Sequence, residues 1–227
     1  MSIRAVQSTA PDTEPNTETN DWGDYLYTYV VIVTSGLMLI PFTITLFKAC
    51  KGSRYVFLYI LISLFIISNI GCIGTAYYNH RVGVIEGNLK SIEDLDIDKF
   101  IRVLNAQSAF GFLRDFGCNE AFWLFSYRYF IISYIMPWRL KDLKIPVSFK
   151  IGSTAFFIIG LLANAIAPAM ECYYIYRYNN AILDMDTAVE VQAEVVGKYY
   201  AFKYSIGGLE FVSGLLMIVA ICKLYKS

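Results

Sequence analysis

Residues Tyr55–Tyr78 read YVFLYILISLFIISNIGCIGTAYY, a run of 24 residues with no charged side chain. As a helix rising 1.5 Å per residue, the run is about 36 Å long, more than the roughly 30 Å of a bilayer's hydrocarbon core. A helix that is apolar on every side buries itself in lipid or in a large protein core. Four more stretches of the same kind accompany it: Tyr25–Ala49, Ala109–Met136, Phe149–Tyr176 and Tyr199–Tyr225. Hydrophobic residues make up 56% of the chain and mean hydropathy is +0.48, too apolar for an ordinary soluble domain. The sequence therefore predicts an all-α fold, a polytopic transmembrane bundle of five spans filling residues 25–227.

Charge orients the bundle. The turn after the first span carries Lys48, Lys51 and Arg54 without an acid. The turn after the third carries Arg139, Lys141, Lys144 and Lys150 against Asp142, and the C-terminus carries Lys223 and Lys226. The opposite side collects Glu86, Glu93, Asp94, Asp96 and Asp98, then Asp184, Asp186, Glu190 and Glu194. Residues 1–24 belong with that side, since five acids stand there against Arg4. With no apolar core and with Pro11 and Pro15, they are expected to form a disordered acidic tail rather than a secretory signal. The positive-inside rule then puts the N-terminus outside or in a lumen and the C-terminus in the cytoplasm.

Lysine plus arginine and aspartate plus glutamate both number 19, so no net charge draws the chain to nucleic acid. Beyond the bilayer, its expected partners are other membrane subunits or further copies of itself. Neither a P-loop, a nucleophile elbow nor a zincin motif occurs, and His80, read as an outer-loop residue, is the single histidine. No enzymatic chemistry, metal or cofactor is expected.

Local detail refines the spans. Pro41 and Pro168 are expected to kink the first and fourth, and Gly71 and Gly74 give the second a face for close helix contact. Gly207 and Gly214, seven residues apart, suggest the same for the fifth. Residues 91–105 form either a separate amphipathic helix on the outer surface, capped by Ser91 and Asp94, or a helical lead-in to the third span. Asp186–Lys198 is expected to extend the fifth span outward as a polar helix.

Apart from Lys48, Lys150 and Lys223 at the basic ends, seven charges fall inside the spans: Arg114, Asp115, Glu120, Arg128, Glu171, Lys203 and Glu210. Each costs about 2.5–3.5 kcal/mol at the bilayer centre on insertion scales, so such residues face the bundle interior or water. Arg114, Asp115, Glu171 and Lys203 lie near the outer interface and are read as structural, the first two as partners of each other or of headgroups. Glu120 and Glu210 lie deeper, at the level of Asn69 and Asn164, and these four define a polar layer. Two readings fit it: protonated carboxyls hydrogen-bonded across helix interfaces, or a ligand or ion site. Arg128 is an intramembrane charge eight residues beyond Glu120, about 80° around the helix from it, which excludes a direct pair. Cys72, Cys118 and Cys172 share the outer half as free thiols or one disulfide, while Cys50 and Cys222 at the cytoplasmic ends are candidate palmitoylation sites.

The third span, from Asn119 through Trp123, Phe125 and Tyr127-Arg128-Tyr129 to Tyr134, resembles a segment of uncharacterised multi-span membrane proteins of ciliates. In those an aromatic-rich helix with His-Trp-x-Phe and an aromatic-basic-aromatic step leads into a short basic turn. Phe122 stands here at the histidine's place. The resemblance implies a helical membrane protein and brings no activity with it. The residues themselves point to a non-enzymatic integral membrane protein, a receptor-like module or a subunit of a larger assembly. The alternative is a channel or transporter using the polar layer.

Overall fold

The computed structural model describes residues 22–49, 56–87, 96–141, 144–181 and 185–225. They form five helices: α1 (Trp22–Ala49), α2 (Val56–Gly87), α3 (Ile97–Leu140), α4 (Val147–Ala181) and α5 (Met185–Tyr225). Four of these, α1, α2, α4 and α5, are long and apolar enough to cross a membrane. Their outer surfaces agree, because Val33, Ile40, Ile159, Phe211 and Ile218 all project outward. Apolar surface of that extent requires lipid or protein to cover it. The protein is thus an all-α, membrane-embedded helical bundle.

α3 is the least apolar of the five. Its position explains why: it packs against α2, α4 and α5 and forms the centre of the bundle. Ala121, Trp123, Leu124, Ser126 and Ser133 of α3 are all buried. A helix surrounded by protein can carry polar groups that a lipid-facing helix cannot.

Helices consecutive in the chain run antiparallel. Phe42 of α1 stacks on Phe65 of α2 while Tyr29 meets His80, so the two chains pass in opposite directions. Between α2 and α3, Tyr78 stacks on Phe110 and Arg128 lies over Phe57. Tyr127 donates to the Ser153 carbonyl at 2.7 Å, and Asn179 to Asn105 Oδ1 at 3.0 Å, which orients α4 against α3. Tyr174 and Phe202 stack between α4 and α5, and Arg177 meets Glu194 beyond them. One end of the bundle holds Asp96, Asp98 and Glu194, and the other Lys144, Lys150 and Lys223.

Close packing rests on glycine where the sequence places it in α2. A Cβ on Gly71 would collide with the Arg114 backbone, and one on Gly74 with the Phe110 ring. From the other side, a Cβ on Gly117 would come 2.6 Å from the Leu64 carbonyl. Gly160 receives the Trp123 indole, whose Nε1 donates to the Phe157 carbonyl at 3.3 Å. The expectation for α5 is corrected: a Cβ added to Gly207 or Gly214 would meet nothing within 4 Å among the described residues, so neither makes a close helix contact there.

One boundary differs from the sequence reading, and two follow readings it offered. α2 continues past Tyr78 to Gly87, so His80 sits on a helix rather than in a loop. The outer segment proves to be the lead-in to α3, continuous with it from Ile97. Asp96 caps that start, its Oδ1 accepting from the Lys99 amide at 3.0 Å; Ser91 and Asp94 lie outside the described residues. α5 begins at Met185, the polar extension expected for it. α1 and α4 run through Pro41 and Pro168 without interruption, and Thr45 donates to the Pro41 carbonyl at 2.7 Å. Residues 1–21, which carry most of the acidic tail, lie outside the described residues.

Candidate functional site

A cavity of about 380 Å³ opens at the acidic end, and all five helices contribute to its wall. Thr28 of α1 and Cys72 and Thr75 of α2 form one side. Because α3 carries Gln107, Gly111, Arg114 and Asp115 at helical spacing, one of its faces lines the centre. Glu171 of α4 and Tyr199 and Lys203 of α5 close the circuit. Four of the seven intramembrane charges therefore share one chamber, two of each sign.

The charges are arranged as two groups. Arg114 grips Asp115 with two bonds, Nε to Oδ1 at 2.7 Å and an Nη to Oδ2 at 3.0 Å. This is a bidentate, charge-assisted pair. Across the cavity, Lys203 Nζ donates to the Tyr199 hydroxyl at 3.0 Å, and Glu171 lines the same wall. Glu171 also lies within electrostatic range of Arg114 and Asp115. At the mouth, Gln107 donates to Asn79 at 3.1 Å, and the Asn105 amide reaches Asn180 at 3.3 Å. These amide clamps tie α3 to α2 and to α4 and keep the rim polar.

The four residues of the polar layer read from the sequence differ in their surroundings. Asn164 is 1% exposed and donates to the carbonyl of Gly160 at 2.9 Å within its own helix. Asn69 is half-buried and bonds the Phe65 carbonyl at 2.8 Å in the same way. Glu120 is 4% exposed, and its Oε2 has no hydrogen-bond partner among the described residues. Glu210 is exposed on α5, within electrostatic range of the equally exposed Cys118. Among the described residues no hydrogen bond joins any two of the four. Asn119 Nδ2 and Ser126 Oγ on α3 are also buried, without hydrogen-bond partners among the described residues.

Arg114 and Asp115 pair as one of the sequence's alternatives has it. Cys72, Cys118 and Cys172 are free thiols, with Cys172 directed at the Ser108 carbonyl at 3.6 Å. Cys222 is free and exposed, whereas Cys50 lies outside the described residues. No cluster of metal-ligating side chains occurs among the described residues. The cavity was missed in the sequence because its charges come from three helices that are far apart in the chain. A usable signal was present: each of the four lies within about two turns of the acidic end of its span.

No family model, curated protein or solved structure matches this chain.

Proposed function

We propose that the protein is a non-enzymatic, receptor-like membrane module that binds a small zwitterionic solute in the cavity at its acidic end. One observation carries this reading: Arg114, Asp115, Glu171 and Lys203, each costly in lipid, converge on a single chamber. A ligand with one cationic and one anionic group matches two charges of each sign without leaving a net charge buried. The volume lies in the range of small-molecule sites. In this reading α3 crosses the membrane as a fifth span, shielded by its neighbours, and the acidic end faces outward.

The test is thermal stabilisation of the purified protein by free amino acids, beside their methyl esters and N-acetyl derivatives. The account expects the zwitterions to stabilise and both blocked forms to fail. Truncating one partner of a charge-assisted bond costs about 1.5–3 kcal/mol, so Lys203→Met or Glu171→Gln should weaken binding roughly tenfold or more. Equal response to blocked and free forms, or to wild type and both variants, would contradict the proposal.

A transport reading has one observation in its favour. Asn119 and Ser126 continue the polar face of α3 below Asp115, buried and unpartnered. Uptake of the same zwitterion into proteoliposomes separates the two, since a receptor binds without flux.

A further inference from the structure

At the basic end a second, apolar groove of about 540 Å³ runs along α3 between α2 and α4. Ile131, Ile132, Ile135 and Met136 form its floor, with Phe57 and Phe157 on its flanks. It exists because α2 begins at Val56, level with Arg128, while α3 continues to Leu140. Among the described residues, the apolar face of the last turns of α3 thus has no part of α2 beside it.

One charge enters this groove. Arg128 is exposed there, and its guanidinium carbon lies 4.2 Å from the centre of the Phe57 ring. Among the described residues it has no carboxylate partner. The ring holds the guanidinium by cation–π attraction and leaves its edge donors free. Phe57 is in the first turn of α2, which contains no acid, so the positive end of that helix dipole is at the same place. Lys144 and Lys150 add cationic charge at the same end of the bundle.

We propose that this groove is a binding site for an anionic phospholipid, its phosphate on Arg128 and the start of an acyl chain against the isoleucine floor. Charge complementarity selects the anion: a guanidinium and a helix N-terminus converge, and no acid among the described residues opposes them. The apolar floor selects an amphiphile over a free phosphate. A lipid of the surrounding leaflet meets both demands and reaches the groove from the side.

The experiment measures co-purifying lipid by native mass spectrometry after reconstitution in mixed phosphatidylcholine and phosphatidylglycerol vesicles. Wild type should retain phosphatidylglycerol in excess of its share in the vesicle. An arginine near a membrane surface contributes about 1 kcal/mol, so Arg128→Gln should lose roughly fivefold in that enrichment. Lys150→Gln, outside the groove, should keep it. Ile132→Trp fills the floor while leaving the cation, and should lose enrichment even if Arg128→Gln folds poorly. Enrichment unchanged in Ile132→Trp, or lost as strongly in Lys150→Gln as in Arg128→Gln, would overturn the site and leave a diffuse surface attraction.

Discussion

Glycine is the residue whose role depends most on what stands opposite it. Gly117 faces the backbone of α2 at Leu64 and Ser68, whereas Gly207 faces no described atom within 4 Å. Gly117→Val should therefore destabilise the bundle by about 1–3 kcal/mol through overpacking against backbone that cannot yield. Gly207→Ala should leave stability unchanged or raise it by about 0.5–1 kcal/mol, the helix cost of glycine. Thermal unfolding in detergent micelles measures both, and equal losses would refute the packing scheme. Half of this contrast was legible in the sequence. Gly71 and Gly74 announce a close contact correctly, but the equally spaced Gly207 and Gly214 do not make one. Spacing places residues on a face; it does not say which neighbour that face meets. The same limit governs the deep acids, where Glu120 is enclosed and Glu210 is on the surface.

At the scale of elements, hydropathy located the helices because lipid-facing surface must be apolar along its whole length. It placed α1, α2, α4 and α5 with little error, since residues outside their apolar runs only lengthen them. α3 obeys a different rule. Asn119, Glu120, Ser126 and Ser133 are buried against other helices, so its composition resembles that of a soluble core element, and position within the bundle cannot be read from composition. A carbene reagent dissolved in the lipid tests this division. It should label Val33, Ile40, Ile159 and Ile218 and spare Ala121, Trp123, Leu124 and Ser126. Labelling of those α3 residues as strong as that of α1 would remove α3 from the centre.

For the whole molecule, the bundle turns scattered charges into two chemically distinct places. Arg114, Asp115, Glu171 and Lys203 meet in a polar chamber at the acidic end, and Arg128 stands alone in an apolar groove at the basic end. The sequence showed the depth of the four chamber charges but not their convergence, nor the groove, because both depend on which helices are neighbours rather than on order along the chain. Both also depend on α3 passing from one end of the molecule to the other inside the membrane. Five crossings put the two termini on opposite sides of the bilayer, and four put them on the same side. The direct test is to attach a protease-cleavable tag to each terminus in turn, in sealed vesicles, and to measure cleavage from outside. Cleavage of one tag alone is the predicted result, with the N-terminal tag outside in right-side-out vesicles. Both tags cleaved, or both protected, would contradict a spanning α3 and with it the chamber built around that helix.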